Sequence, residues 1–270
     1  MTDLTDIENR GLVLLGCGKM GGAMLEGWLA HGVSPGAVTV LDPYPGDWLQ
    51  DRGVNVNSRT PDEPAVLLIA VKPQMMDEAL PTLPKIGSNT LVISVAAGTP
   101  ISRFEATFGA ETPVIRAMPN TPSAIGQGIT AIIGNAVTNA GHLDLAEGLL
   151  SAVGTVVRLD TEDQMDAVTA VSGSGPAYVF HLIETMTAAG IAEGLPEDLA
   201  TKLATETVAG AGALAKAADE SASQLRVNVT SPKGTTEAAL GVLMNKDDGF
   251  PSLLERAVKA AADRSRELRK

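Results

Sequence analysis

The 270-residue chain has little cysteine, histidine, aromatic or basic residue content. One cysteine, Cys17, excludes an intramolecular disulfide, and no Cys or His spacing predicts a metal site. Aromatic residues make up 3% of the chain against 44% for all hydrophobic residues, so the core has to be built from Ala, Val, Leu and Ile. The net charge of −12 argues against nucleic acid and anionic membranes as partners.

Long apolar runs are also lacking. No run reaches the roughly 20 residues of a membrane-spanning helix, and no hydrophobic signal precedes Arg10. We therefore expect a cytoplasmic protein whose polar residues 1–10 form a loose arm. Cys17 lies between two glycines, where a small filler residue is favoured over a redox switch.

The most informative stretch is Leu12–Gly22, which reads LVLLGCGKMGG. Four apolar residues run into Gly16, Gly18 and Gly21, and a helical pattern follows over Ala23–Ala30. A buried strand, a glycine turn and a helix in this order are typical of a site that holds a dinucleotide pyrophosphate. An ordinary glycine turn is the alternative interpretation.

An acidic residue follows the next predicted strand. Val38–Leu41 ends at Asp42, about 20 residues past the last glycine, where dinucleotide sites place the acid that binds the ribose. Its carboxylate accepts hydrogen bonds from the hydroxyls of NADH and repels the 2′-phosphate of NADPH, so we favour NADH. The alternative is that Asp42 caps the Asp-Pro turn and points away.

Apolar runs and helical segments alternate through the first 160 residues. Further strands are predicted over Ala65–Val71, Leu91–Val95, Val114–Ala117, Ile129–Ile133 and Thr155–Leu159. Helices are predicted over Met75–Leu83, Ile101–Phe108 and Asn139–Ala152. This alternation predicts an α/β fold with a doubly wound parallel sheet of the Rossmann type. The turns after its strands, Lys72-Pro73, Ala97-Gly98 and Pro119-Asn120, would then face one crevice.

Beyond Asp160 alanine becomes dense and the periodicity is helical. We place the domain boundary there, with a Rossmann domain over 1–160 and an all-helical domain over 161–270. Helices are predicted over Ala177–Ala189, Glu197–Ala218, Glu237–Leu243 and Ser252–Leu268. Gly210 and Gly212 favour close approach of another helix, from a partner subunit or from the same chain.

Few residues are equipped for acid–base chemistry. None of His31, His142 and His181 has a carboxylate or nucleophile placed to form a dyad, which disfavours a His-driven dehydrogenase. Two loops of small residues, Ser172–Pro176 and Thr230–Thr236, each precede a helix and suit a carboxylate, although helix capping explains either equally well. Reduction of an already protonated imine needs little acid catalysis and fits this inventory.

At these residues the chain resembles the Δ1-pyrroline-5-carboxylate reductase family, over roughly residues 11–268. The motifs are LLGCGKMGGAM at 14–24, AVKPQ at 70–74, VIRAMPNTPSAIGQG at 114–128, MDAVTAVSGSGPAYVF at 165–180 and QLRVNVTSPKGTTEAAL at 224–240. The resemblance implies NAD(P)H-dependent reduction of pyrroline-5-carboxylate to L-proline. It also implies a Rossmann domain joined to an all-α dimerisation domain, and a homodimer or a higher multiple such as a decamer.

The resemblance also implies site residues. Cofactor-binding residues are Gly16, Gly18, Lys19, Met20, Gly21 and Asp42, with Ala70, Val71, Lys72 and Pro73 on the nicotinamide side and Met118, Pro119 and Asn120 along the crevice. The substrate carboxylate is held by Ser231, Gly234 and Thr235, and the pocket is supported by Ser172, Gly173, Ser174 and Gly175. Thr236 hydrogen-bonds the ring nitrogen and is the predicted catalytic residue. No metal is implied.

The chain departs from the family pattern at two positions. Lys233 stands where glycine is usual, and either strengthens carboxylate binding or points to solvent. Asp42 stands where many members carry small polar or basic residues. The alternative functions are another imine reductase, an oxidoreductase like 6-phosphogluconate dehydrogenase, and a nucleotide-binding regulator without catalysis. Lys202 and Lys216 lack the motif context that the second of these requires.

Overall fold

The computed structural model describes residues 4–83 and 86–269. Within them the strands are β1 (Leu12–Leu15), β2 (Val38–Leu41), β3 (Asn55–Val56), β4 (Val66–Ile69), β5 (Leu91–Ser94), β6 (Val114–Met118), β7 (Gly128–Gly134) and β8 (Gly154–Arg158). The α-helices are α1 (Thr5–Arg10), α2 (Lys19–Ala30), α3 (Trp48–Asp51), α4 (Met76–Ala79), α5 (Ile101–Phe108), α6 (Ala140–Leu150), α7 (Gln164–Val168), α8 (Gly175–Ala192), α9 (Glu197–Ala217), α10 (Ala222–Asn228), α11 (Thr235–Leu243) and α12 (Phe250–Leu268).

The strands form one sheet in the order β3-β2-β1-β4-β5-β6-β7-β8. Neighbours are parallel except β6 and β7, which pair antiparallel. β2 and β3 are added on one side of β1, and β4 to β8 are added in turn on its other side, so the strand order reverses between β1 and β4. The predicted Rossmann sheet is confirmed, and the two-residue edge strand β3 was not predicted.

Both faces of the sheet are covered, and its central strands β1 and β4 are apolar and buried at every position. Leu12 and Leu14 point to a core shared with α2 and α6, whereas Val13 and Leu15 point to the opposite core, shared with α4 and α5. All four side chains are at most 4% exposed. Burial on both faces is what selects continuous apolar runs in parallel sheets.

Three local predictions are wrong. The loose arm was predicted over residues 1–10, of which 1–3 lie outside the described residues. Residues 5–10 form α1 instead, because Ile7 is fully buried in the core. The helix predicted over Met75–Leu83 is broken into a turn of α-helix flanked by 3₁₀ turns, with prolines at both turns. The segment predicted as a loop before α8 is largely helical: α7 continues into a π-helical turn, Thr169–Gly173.

The chain divides into two compact units, one running to Gly173 and resuming at Ala262, the other spanning Ser174–Ala261. The second unit contains α8 to α11 and most of α12. The boundary proposed near residue 160 stays a prediction. In the described part of the chain, no helix combines the length and apolar character that a membrane span needs.

Helices of the second unit leave much apolar surface exposed. Along α9, Ala200 and Ala204 are buried against α8, while Leu199, Leu203 and Leu214 are between 45% and 55% exposed. Side chains of this size are rarely left exposed in such number on a monomer.

Candidate active site

The glycine turn between β1 and α2 has three differently constrained glycines. Gly16 has a φ of 89°, and a Cβ there would lie 2.9 Å from Cγ1 of Val71. A Cβ on Gly21 would lie 2.3 Å from the carbonyl oxygen of Gly16. A Cβ on Gly18 would have open space around it, with no atom of the described chain within 4 Å. Tight turn, open approach and close helix packing are the three demands of a pyrophosphate-binding turn, so these residues fit a dinucleotide.

The glycine turn is continuous with the ends of the neighbouring strands. The N–H of Gly16 donates to the carbonyl of Leu41 at the end of β2, at 2.8 Å, and the N–H of Ala70 donates to the carbonyl of Leu15, at 2.8 Å. The predicted residues Gly16, Ala70 and Val71 are therefore brought together. Lys72 and Pro73, also predicted for the nicotinamide side, follow as exposed residues. Lys19 and Met20 begin α2 directly behind Gly18.

Asp42 lies against this turn at the end of β2. Its Oδ2 accepts from the N–H of Cys17 at 2.6 Å, and its Oδ1 accepts from the N–H of Tyr44 at 2.8 Å. The second bond is the turn cap that the alternative interpretation predicts, while the first holds the carboxylate at the glycine turn. Each carboxylate oxygen has a further lone pair for a ribose hydroxyl.

A cleft of about 410 Å³ opens beside Asp42. Among its described lining residues are Asp42, Asn57, Val71 and Glu78, and none is Lys or Arg. Asn57 holds the backbone of Asp42 on both sides: its Oδ1 accepts from the Asp42 N–H at 3.0 Å and its Nδ2 donates to the Asp42 carbonyl at 2.8 Å. Sequence reasoning missed Asn57 and Glu78. Neither residue carried a signal in the sequence, because the edge strand β3 that places Asn57 was itself not predicted.

Cys17 is an inert member of the turn. Burial, reinforced by the carboxylates of Asp42 and Glu26, raises the pKa of Cys17 to about 11. The thiol is thus protonated at neutral pH, and a protonated thiol is a poor nucleophile. This favours the filler interpretation over the redox switch.

The turn after β6 meets the π-helical turn. Nδ2 of Asn120 donates to the carbonyl of Ser172 at 3.2 Å, and its Oδ1 accepts from the N–H of Ile129 at 3.0 Å. A Cβ on Gly173 would lie 2.6 Å from Cε of Met118, so the Met118 side chain is packed directly against this glycine. The predicted residues Met118, Asn120, Ser172 and Gly173 are therefore adjacent, and Pro119 is buried between the first two. Ser174 and Gly175 follow at the start of α8, in the second unit.

The second unit contains the other predicted loop, Thr230–Thr236. Gly234 precedes the first turn of α11, where Thr235 and Thr236 leave backbone N–H groups without helical acceptors. Among the described residues, the hydroxyls of Ser231, Thr235 and Thr236 have no hydrogen-bond partner. Free N–H groups and hydroxyls at a helix start suit a carboxylate. The structure also shows no group of three His, Cys, Asp or Glu placed for a metal ion among the residues it describes.

Lys233 is the strained residue of that loop. Its φ of 59° lies in the left-handed region, which a non-glycine residue occupies at a cost of about 1–2 kcal/mol. Its N–H donates to Oε2 of Glu237 at 2.6 Å, which holds the strained turn on α11. The left-handed φ explains in physical terms why glycine suits this position.

A Rossmann sheet whose first turn fits a dinucleotide, followed by a helical unit, is typical of NAD(P)-dependent oxidoreductases. Two family models match: one described as pyrroline-5-carboxylate reductase dimerisation, over residues 162–268, and one described as NADP oxidoreductase, coenzyme F420-dependent, over residues 12–98. The pyrroline-5-carboxylate reductase of Pseudomonas aeruginosa is 39% identical, over 95% of this chain and 96% of that protein. The pyrroline-5-carboxylate reductase of Synechocystis is 41% identical, over 96% of this chain and 98% of that protein.

Solved structures agree with these relatives. A pyrroline-5-carboxylate reductase from Coxiella burnetii superposes with a TM-score of 0.86 at 34% identity, covering 97% of this chain and 99% of that one. The Plasmodium falciparum pyrroline carboxylate reductase, solved with NADP bound, superposes with a TM-score of 0.81 at 28% identity. The match covers 97% of this chain and 99% of that one. The chain belongs to the pyrroline-5-carboxylate reductase family. The predictions of family and of a Rossmann domain followed by an all-α dimerisation domain are confirmed.

Proposed function

We propose that this chain reduces L-Δ1-pyrroline-5-carboxylate to L-proline with NAD(P)H. The observation that carries the proposal is the glycine turn, in which Gly18 faces open space while Gly16 and Gly21 are closely packed. Family membership supplies the substrate. Bound NAD(P)H supplies a hydride to the imine carbon.

The chain's own residues bind and orient in this reaction. Gly18 and the start of α2 receive the pyrophosphate. Met118 and Asn120 border the crevice with Ser172 and Gly173. In the second unit, Ser231, Gly234 and Thr235 receive the substrate carboxylate, and Thr236 hydrogen-bonds the ring nitrogen. A protonated imine is electrophilic by itself, so positioning does most of the work.

Oxidation of NADH or NADPH on addition of pyrroline-5-carboxylate tests the proposal. Turnover that forms L-proline separates it from the three alternatives. Cofactor binding without turnover would point to a regulator, and turnover only with hydroxy acids would point to a dehydrogenase of the 6-phosphogluconate type. Activity confined to other cyclic imines would indicate a different imine reductase.

Thr236→Ala is expected to lower kcat/KM for pyrroline-5-carboxylate by about 10–100-fold, the usual size for one hydrogen bond to a reacting group. The hydroxyl has no partner among the described residues, so its removal leaves no orphaned group in the protein. Steady-state kinetics measure the loss, and fluorescence titration should find cofactor affinity unchanged. Thr236→Ser keeps the hydroxyl and should retain most activity. Wild-type turnover in the alanine variant would remove Thr236 from the mechanism.

We infer a preference for NADH. Asp42 and Glu78 are the charged residues among the described lining of the cleft, and both are acidic. A 2′-phosphate about 4 Å from a carboxylate is repelled by roughly 1 kcal/mol per charge product in water, and by more in a partly dry cleft. Arg52, a nearby cation in the sequence, is paired with Glu26 on the surface.

Wild-type kcat/KM is expected to be at least about tenfold higher with NADH than with NADPH, because that is the ratio set by roughly 1.4 kcal/mol of repulsion. Asp42→Asn removes the charge at constant shape and should bring the kcat/KM values for NADH and NADPH closer together. Asp42→Ser should have the same effect while losing one of the two hydrogen bonds that the Asp42 side chain accepts from the backbone. Parallel kinetics with both cofactors measure it. A wild type that favours NADPH, with the ratio unchanged in both variants, would show that Asp42 serves only as a turn cap.

We infer that the chain forms a homodimer or a higher multiple, such as a decamer, through its helical unit. Leu199, Leu203 and Leu214 line one stripe of α9 and are about half exposed. Gly210 falls on the same stripe, at helical spacing from Leu203 and Leu214. A Cβ there would meet no atom of the described residues outside its own helix backbone within 4 Å. The described chain leaves this stripe uncovered, so intrachain packing does not account for its small residues.

A further inference from the structure

The end of α12 is tied to the Rossmann unit through a buried carboxylate on α7. Asp166 is 2% exposed. Its Oδ1 accepts from Oγ of Ser265 at 2.7 Å, and its Oδ2 lies 2.7 Å from Nη2 of Arg269. Nη1 of Arg269 also lies 3.5 Å from Oδ1 of Asp163. Burying a carboxyl group is costly unless it has hydrogen-bond and ion-pair partners, and Ser265 and Arg269 supply these partners to Asp166.

The segment 162–173, which contains α7 and the π-helical turn, is also held at its first residue, Glu162. Oε1 of Glu162 accepts from Nη1 of Arg116 at 2.7 Å and from the N–H of Ile101 at 3.0 Å. Arg116 belongs to β6 and is 1% exposed. The start of the segment is therefore held by the sheet and by the first residue of α5, independently of α12.

α7 connects Asp166 to residues of the candidate active site. It continues directly into the π-helical turn Thr169–Gly173, in which Oγ1 of Thr169 donates to the carbonyl of Met165 at 2.8 Å. That turn ends on Ser172 and Gly173, which contact Asn120 and Met118. Gly173 is seven positions after Asp166, and the chain between them is continuously helical.

The end of α12 also reaches the turn after β5. A Cβ on Gly98 would lie 3.5 Å from Cβ of Leu268. Leu268 and Arg269 line a cleft of about 660 Å³ together with Gln74 and Thr99, which follow β4 and β5. The last turn of α12 thus lies at the carboxyl edge of the sheet, where ligands bind in this fold.

We propose that Ser265 and Arg269 are positioning residues: through Asp166 they fix the π-helical turn, and with it Ser172 and Gly173, against Asn120 and Met118. Neither residue contacts the reacting atoms in this proposal. It rests on the proposed function for the role of the crevice, while the tie itself is a property of the fold.

Arg269→Gln tests the proposal, with Arg264→Gln as the matched control. Arg264 lies on the same helix and forms an exposed ion pair with Glu267. We expect Arg269→Gln to lower kcat by about tenfold, because small misplacements far from the chemistry cost up to about 100-fold. Cofactor affinity by fluorescence should change less than twofold, Arg269→Lys should restore most of kcat, and Arg264→Gln should behave as wild type. Ser265→Ala should give a smaller loss in the same direction.

Amide hydrogen exchange gives a readout that does not depend on turnover. Exchange in peptides covering 165–173 should become faster in Arg269→Gln and remain at the wild-type rate in Arg264→Gln. Equal exchange and equal kcat in the two variants would overturn the proposal. If the wild type fails to reduce pyrroline-5-carboxylate but exchange responds as expected, the proposed function fails and the tie stands. If Arg269→Gln does not fold, Ser265→Ala decides by the same two measurements.

Discussion

Gly21→Ala is expected to cost this protein most of its cofactor affinity and part of its stability. A Cβ at this position would lie 2.3 Å from the carbonyl oxygen of Gly16 and 3.3 Å from the carbonyl carbon of the same residue. Backbone atoms cannot rotate away, so α2 has to move from β1. Overpacking of this kind costs about 1–3 kcal/mol, and a displaced helix start no longer presents its N–H groups to the pyrophosphate. We expect cofactor affinity to fall by about 100-fold or more, equivalent to roughly 2.8 kcal/mol.

Two neighbouring glycines provide the controls. A Cβ on Gly22 would make ordinary contacts of 3.4 Å and longer with Trp48, so Gly22→Ala should bind cofactor as wild type and melt slightly higher. Gly18→Ala should retain wild-type thermal stability, since its Cβ meets no atom, yet bind cofactor more weakly because that space receives the pyrophosphate. Thermal melts and fluorescence titration separate the three. Undiminished cofactor affinity in both Gly18→Ala and Gly21→Ala would exclude this turn as the dinucleotide site.

Gly210→Leu is expected to dissociate the oligomer while leaving the single chain folded. Within the chain there is room for the side chain, and leucine favours a helix by about 0.8 kcal/mol over glycine. Across a symmetric interface each substitution occurs twice, so overpacking costs about 2–6 kcal/mol in all. The substitution is therefore expected to stabilise the helix of the single chain and to destabilise the subunit interface, so the two effects can be told apart.

Sedimentation velocity at assay concentration measures the outcome, with circular dichroism to follow helix content. Gly36→Leu is the control, because Gly36 also faces open space but lies before β2, in the first unit. A Gly210→Leu variant that sediments like the wild type would show that α9 does not meet a partner at this stripe. A wild type that sediments as an active monomer would overturn the inferred assembly.

Local pattern was sufficient for most elements of this fold. The runs at β1, β2, β4 and β5 predict buried strands because both faces of a parallel sheet exclude water, which selects nearly continuous apolar runs. Ile101–Phe108 was predicted at its observed bounds, since proline before it and glycine after it mark both ends. The edge strand β3 was missed because two residues carry no periodicity.

Errors occurred where a distant contact overrides local preference. Residues 5–10 read as polar, yet one buried isoleucine holds them as a helix. Ser172 and Gly173 read as a flexible loop because serine and glycine are poor helix formers. They are instead part of a π-helical turn. Asn120, in the turn after β6, holds Ser172, and the buried Asp166 lies in α7, which leads into the π-helical turn.

Sequence motifs were sufficient to predict the family of this protein. Glycine spacing, the acid after β2 and the loops of small residues predict a dinucleotide site and a carboxylate site through their chemistry. Tertiary structure alone decided which side chains support them. Asn57 hydrogen-bonds the backbone of Asp42, and Glu78 lines the same cleft. Arg269 contacts Asp166, 103 positions away in the sequence. The reason is physical: a motif records the local backbone conformation that a ligand requires, whereas the partner of a buried charge is chosen by whichever element packs beside it.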